Sequence, residues 1–262
     1  MSKITKALDK AKQELHGTGG SPQGDRNAPP PCEQADVCYT QTQVVEQASG
    51  ASDAGQILSV AEDMGLTDCY ALLRTQVLQR TREKGQNTIM VTSVNKGEGK
   101  TLTAINLAMS MAKEMVQSAL LVDTNLRDPK VEAYLSLPSS RGLGDYLLDD
   151  IPLPELLINP GLNKLVVLPA GRPIAVSTEI LGSPRMRHLV KEMKSRYPER
   201  YVIFDCPHLL GMPDALIFSS FVDHILLVIE AGKTTRGDIQ KTLDLLEGKS
   251  LLGIVFNKVA KH

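Results

Sequence analysis

The sequence predicts a doubly wound α/β fold, a mostly parallel sheet with helices on both faces, preceded by a helical and disordered N-terminal tail. Six short apolar runs rich in β-branched residues recur after Gln86: NTIMVTS, SALLVD, KLVVLPA, YVIFD, HILLVIE and LLGIVFN. Their near-continuous apolar character suits strands buried on both faces. Helical stretches such as LTAINLAMSMAKEM, PRMRHLVKEMKSRY and TRGDIQKTLDLLEG lie between them. Strand and helix in alternation, joined by right-handed crossovers, build a doubly wound sheet. The third observation is a change of composition ahead of the first strand.

Residues 1–16 carry Ile4, Leu8, Ala11 and Leu15 on one helical stripe, flanked by Lys3, Lys6, Lys10 and Lys12. This is an amphipathic N-terminal helix. Docking to a partner or an anionic membrane surface and plain solvation are both open for it. Residues 17–53 include GTGGSPQGDRNAPPPCEQAD, too poor in apolar surface to offset the cost of ordering, and form a flexible linker. A folded domain is expected over 54–262, opening with a helical pattern through Tyr70, Leu73, Val77 and Leu78.

The bulk properties exclude several classes. A net charge of −1 supplies no global basic field, so no nucleic-acid partner is expected. Aromatic residues are scarce at 4%, so the core must be aliphatic. Cys32, Cys38, Cys69 and Cys206 lack metal-ligand spacing and read as free thiols of a reducing compartment. The N-terminus is too polar for a signal peptide, and no run of about eighteen apolar residues exists to span a membrane. The expected location is cytoplasmic.

The chemistry is concentrated where strands end. NTIMVTS runs into VNKGEGKT and then into a helix. Gly97 and Gly99 let the backbone curl around phosphate oxygens, and the following helix adds its N-terminal dipole. Lys100 reaches the outer phosphates, and the Thr101 hydroxyl can ligate Mg²⁺. The nucleotide cradle is expected along Asn95, Lys96, Gly97, Glu98, Gly99, Lys100, Thr101 and Leu102. Val94 stands where the short P-loop pattern has glycine. Strand, loop, Gly-Lys-Thr and helix nevertheless fall in order, which predicts a P-loop NTPase domain binding a nucleoside triphosphate with Mg²⁺.

Two further strands end in carboxylates. LLVDTNLRDP places Asp123 at a strand end beside the loop, and YVIFDCP places Asp205 where a Walker B carboxylate belongs. Ligands in open α/β sheets gather at the carboxyl ends of strands. Thr101, Asp123 and Asp205 are therefore the candidate metal-holding set.

Together SVNKGEGKT, LLVDTNLR and VIFDCP resemble the bacterial tyrosine kinases of capsule and exopolysaccharide systems. Supporting pieces are GLGDYLL, LPAGR, TEILGSPRM and the PDAL that follows Walker B. The first residues, MSKITKALDKAKQE, are similar to the polysaccharide-associated autokinases. The resemblance runs from Cys69 to Lys258. It implies a kinase-like domain that uses Mg-ATP to phosphorylate tyrosine, with Lys100, Asp123, Asp205 and the A′ residue Arg127 in catalysis. It also implies a homo-oligomer, a protein tyrosine substrate, and a membrane-anchored polysaccharide co-polymerase as activator that recruits the kinase to the inner membrane.

Some positions depart from the family pattern. Asn125 replaces a second aspartate of the A′ element, and an amide cannot act as a base near neutral pH. Lys96 replaces a proline and puts another cation near the phosphates, and His208 replaces a second proline after Asp205. The oligomerisation helix reads Asp68, Ala71 and Arg74 in place of Glu, Arg and Arg. The last tyrosine is Tyr201, so an acceptor within the chain would be internal, Tyr39 for instance. These departures leave a nucleotide-binding pseudokinase scaffold as one alternative. A membrane-cycling partition-type ATPase is another, though Asn95 stands where that group has its signature lysine. Asn257 and Lys258, at the last strand's end, are open between contact with the base and a plain polar terminus.

Overall fold

The computed structural model describes residues 43–44, 57, 64–138 and 141–259. The helix expected over 1–16 and the linker over 17–53, Gln43 and Val44 apart, lie outside them. Eight strands are found among the described residues: β1 (Gln43–Val44), β2 (Thr88–Ser93), β3 (Ser118–Asp123), β4 (Ile158–Asn159), β5 (Leu165–Leu168), β6 (Arg200–Asp205), β7 (His224–Glu230) and β8 (Leu251–Asn257). The helices are α1 (Met64–Thr81), α2 (Lys100–Ala112), α3 (Val131–Tyr134), α4 (Leu143–Asp149), α5 (Ser177–Leu181), α6 (Pro184–Arg196), α7 (Pro213–Phe218) and α8 (Arg236–Leu245).

The strands form one sheet in the order β1-β4-β5-β3-β6-β2-β7-β8. From β5 to β8 every pairing is parallel, and these are the six apolar runs. The short β4 is antiparallel to β5, and β1 continues parallel to β4. Two-residue strands are too short to show a periodicity, which is why no sequence pattern announces them.

Alternate side chains of the inner strands enter two separate cores, as pleating requires. By contrast β8, at the sheet edge, leaves Ile254 and Phe256 exposed and so departs from the expected burial on both faces. Met90, Val122 and Phe204 face α6 and α7, where Phe204 meets Phe218 edge-on at 4.9 Å between ring centroids. Ile89, Val91, Leu121 and Ile203 face the other way, toward Ile105 and Met109 of α2 and Val77 of α1. Each such side chain, wholly withdrawn from water, contributes about 1.5–3 kcal/mol of transfer free energy. α2 is buried on nearly every side because α1 covers the face that the sheet does not. α1 is pinned by Arg74, which donates to the carbonyl of Ser110 at 2.8 Å, and by Arg80, which donates to that of Leu252 at 2.6 Å. Thr81 and Tyr201 join their hydroxyls at 2.8 Å across the interface with β6.

The register fixes the site. Asp205 stands beside Val91 on one neighbouring strand and beside Asp123 on the other. The three motif-bearing strands therefore end at one level, with the loop after β2 directly above.

Candidate functional site

The loop between β2 and α2 turns on Gly97 and Gly99, whose φ values of 88° and 95° lie in the left-handed region. Gly99 has a second constraint, because a Cβ there would stand 1.9 Å from the side-chain nitrogen of Asn257. Gly97, Gly99, Lys100, Thr101 and Leu102 line a cleft of about 830 Å³, with Asn125, Arg127 and Asp128 of the A′ loop opposite. Leu66 and Tyr70 of α1 and Pro207, His208 and Lys258 complete the wall. Burial and the nearby Lys100 and Lys96 hold the His208 imidazole below its usual pKa.

Beneath the cleft floor, the Thr101 hydroxyl donates to Oδ2 of Asp205 at 2.7 Å. The Lys100 ammonium is 3.3 Å from the Thr101 hydroxyl and 3.7 Å from Oδ1 of Asp205. Asp205 is wholly buried, and its Oδ1 has no hydrogen-bond partner. A buried carboxylate oxygen in that condition is costly unless a cation completes it. With the Thr101 hydroxyl alongside, these are hard oxygen donors of the kind Mg²⁺ takes. Among the described residues no three His, Cys, Asp or Glu side chains gather around a metal position. A cation here would rely on few protein oxygens plus phosphate and water, which is the habit of Mg²⁺.

Asp123 is also wholly buried, but its oxygens are occupied. Oδ1 accepts the Asn125 N–H at 2.9 Å, and Oδ2 accepts those of Lys130 and Val131 at 3.1 Å each. It thus shapes the A′ loop and caps the start of α3. Burial and the adjacent Asp205 raise its pKa to about 7 in spite of those amides. Burial also raises Asp205, against the pull of Lys100 and Thr101. Two adjacent buried carboxyls resist ionising together, and a divalent cation removes that resistance.

Arg127 turns to the side of the cleft. Its Nε donates to Oδ2 of Asp214 at 2.8 Å, and Nη2 donates to the Thr178 hydroxyl at 3.0 Å. Asp214, wholly buried at the start of α7, also accepts from Ser177 at 3.1 Å and from Thr178. The TEIL and PDAL segments are thereby fastened to the A′ loop. GLGDYLL and LPAGR likewise serve each other. The Asp145 carboxylate accepts the Gly142 N–H at 2.7 Å, and a Cβ at Gly142 would lie 2.2 Å from the carbonyl of Pro169.

The sequence-predicted loop residues divide by role. Glu98 is buried, and it accepts the Asn95 N–H at 2.9 Å, the Asn95 amide at 3.3 Å and the Thr234 hydroxyl at 2.7 Å. Lys96 leans across to Asp128 at 2.9 Å. Asn257 donates to the carbonyl of Glu98 at 2.9 Å, and Lys258 donates to that of Gly97 at 2.8 Å. The ends of β7 and β8 therefore clamp the phosphate loop. Thr234 gave no signal in the sequence beyond its place in a strand-end loop, and Asp128 was eclipsed by the motif residues around it.

This arrangement defines a P-loop domain with its Walker elements converging on one cleft. No protein-family model matches the chain. Tyrosine-protein kinase YwqD of Bacillus subtilis (strain 168) is 31% identical over 211 residues, covering 79% of this chain and 88% of that protein. The succinoglycan biosynthesis transport protein ExoP of Rhizobium meliloti (strain 1021) is 29% identical over 175 residues, 65% of this chain and 22% of that protein. Among solved structures, the chimerical protein CapA2B2 superposes with a TM-score of 0.73 at 25% identity, covering 84% of this chain and 94% of that one. The chain belongs to the bacterial tyrosine-protein kinases of capsule and exopolysaccharide systems.

Proposed function

We propose that the chain transfers the γ-phosphoryl group of ATP to a tyrosine hydroxyl, on another copy of itself or on a second protein, and so regulates exopolysaccharide biosynthesis and export. The observation that carries this reading is the contact of Lys100 and Thr101 with the buried, incompletely satisfied Asp205 beneath the cleft. The backbone from Asn95 to Leu102 cradles the phosphates, with Gly97 and Gly99 permitting close approach. Lys100 holds the outer phosphates and offsets charge as the phosphoryl group moves. Thr101 and Asp205 would hold Mg²⁺, with Asp123 setting the A′ loop behind them. When bound, that ion supplies charge neutralisation on the phosphates. Arg127 acts through its bonds to Asp214 and Thr178, which fasten the A′ loop to α5 and α7.

Among the described residues no helix is long and apolar enough to cross a membrane. A cytoplasmic domain recruited to the inner membrane by a membrane-anchored polysaccharide co-polymerase accommodates that. The likeness to the chimerical protein CapA2B2 is consistent with such a partner. Self-association is part of the same reading, although Arg74 is engaged by Ser110 of its own chain.

The test is to incubate the purified full chain with Mg-ATP, with and without the cytoplasmic segments of its organism's co-polymerase, and probe for phosphotyrosine. Signal from wild type and none from Lys100→Met is expected. Absence of phosphotyrosine in protein shown by calorimetry to bind ATP would overturn the kinase reading. It would favour the pseudokinase scaffold, for which the observation is Asn125: its side chain donates to the carbonyl of Asp128 at 2.6 Å and offers no base.

A further inference from the structure

Asp123 and Asp205 are wholly buried beneath the cleft floor, with Asp123 spent on backbone amides. Neither presents an oxygen to a hydroxyl approaching from solvent. Asn125 faces the cleft but carries an amide whose donor is committed to the loop itself. Among the described residues that line the cleft, Asp128 brings the one carboxylate. It sits on the A′ loop across from the P-loop, with its side chain 46% exposed. The A′ turn that carries it is fixed at both ends. The Asp128 N–H donates to the carbonyl of Asn125 at 3.2 Å, and the Asn125 side chain returns a bond to the Asp128 carbonyl.

We propose that Asp128 is a catalytic residue of this kinase: its carboxylate accepts the hydrogen bond of the incoming tyrosine hydroxyl and takes its proton. The assignment rests on the tyrosine-kinase reading given above. The tyrosine oxygen forms a bond to the γ-phosphorus while the bond from that phosphorus to the β,γ-bridging oxygen breaks. ADP leaves with the electron pair, and the phenolic proton passes to Asp128 and from there to water. A carboxylate in this position orients the nucleophile, the part that a fixed acidic side chain plays in phosphoryl transfer.

The surroundings of Asp128 keep it in the charged form that accepts a hydrogen bond. Lys96 stands 2.9 Å away and Lys130 3.5 Å away, and Lys96 first among them holds the carboxyl below the ordinary carboxylate range. It is therefore ionised when the substrate arrives. Both cations are substantially exposed, so the pairs are weak and open readily. A bound triphosphate competes for Lys96 and releases one face of Asp128 to the tyrosine. The unusual Lys96 and the unusual Asn125 are then parts of one change, in which the working carboxylate has moved three positions along the A′ loop.

The test measures phosphorylation of a synthetic glutamate–tyrosine copolymer by the full chain with Mg-ATP. Asp128→Asn should lower kcat about 100-fold or more, while KM for ATP and calorimetric ADP affinity stay within about threefold. Adding Asn125→Asp to Asp128→Asn should recover at least tenfold, because it returns a carboxylate to the same cleft. Asp128→Ser guards against a fold-specific effect of the amide, and both single variants should keep the wild-type melting temperature. Turnover within about threefold of wild type in Asp128→Asn would overturn the assignment and leave the kinase reading intact. Parallel loss of ADP affinity and kcat would also overturn it, by making Asp128 a binding residue. No phosphotyrosine from wild type at all would instead remove the kinase reading on which it rests.

Discussion

Thr101 and Asp205, 104 positions apart in the chain, are joined by a 2.7 Å hydrogen bond beneath the cleft. The contact links the first turn of α2 to the end of β6 and leaves Oδ1 of Asp205 short of a partner. Asp205→Asn keeps the shape and removes the charge. Phosphotyrosine formation should fall by about 100-fold or more, since a preorganised electrostatic group at the reacting phosphates is lost. Calorimetric titration with ADP should show Mg²⁺ adding little affinity in the variant. Equal Mg²⁺ enhancement in variant and wild type would remove Asp205 from the metal set.

The Glu98–Thr234 contact predicts an effect on nucleotide with little effect on the fold. Thr234→Val leaves a buried carboxylate oxygen without its 2.7 Å donor. A hydrogen bond to a charged group contributes about 1.5–3 kcal/mol, part of which the loop recovers by relaxing. ADP affinity should drop about three- to tenfold. The melting temperature without nucleotide should move by only a few degrees. A large melting shift at unchanged affinity would make the clamp purely structural.

Gly99→Ala should be more severe. It puts a Cβ at φ 95° and 1.9 Å from the Asn257 side chain. Pairing it with Asn257→Gly relieves the clash and leaves the backbone strain. ADP binding measured by fluorescence should therefore recover only in part, and full recovery would mean that the left-handed geometry is dispensable.

Asp214 supplies a pH dependence. Burial works to raise its pKa, but Arg127, Thr178 and Ser177 together outweigh burial and hold it below the ordinary carboxylate value. A carboxyl depressed in the folded state contributes stability that is complete above its unfolded pKa of about 4 and is lost as pH falls through the folded value. Asp214→Asn should therefore lower stability near pH 7 by about 1–3 kcal/mol. The difference from wild type should shrink below about pH 4. Urea unfolding at several pH values, followed by circular dichroism, checks this. A constant difference across the range would contradict it.

Much of the fold was legible because buried parallel strands write themselves as apolar runs. All six strands from β5 to β8 coincide with those runs within a residue or two at the ends, although β8, at the sheet edge, is only partly buried. α2, α6 and α8 lie where helical stretches were read. β1 and β4 were silent because two residues carry no period, and α3, α5 and α7 are too short to show a stripe. At the site, loop glycines and strand-end aspartates were visible because backbone geometry and topology restrict them to few residue types. The direction a side chain takes was not. Arg127 turning to Asp214, Glu98 to Thr234 and Asp123 to three amides are tertiary choices made by partners far along the chain. Asn257 and Lys258 resolve in favour of the loop clamp, a third possibility beyond base contact and a plain terminus.

That clamp bears on how the protein is made. Lys258 grips the carbonyl of a residue 161 positions earlier, and Asn257 grips one 159 positions earlier. A ribosome delivers the P-loop long before it delivers these two residues. A nascent chain halted ahead of β8 can build α2 against β2 and join Glu98 to Thr234, yet lacks the two bonds to the Gly97 and Glu98 carbonyls. The phosphate loop therefore receives its last two braces only when the final strand has been made.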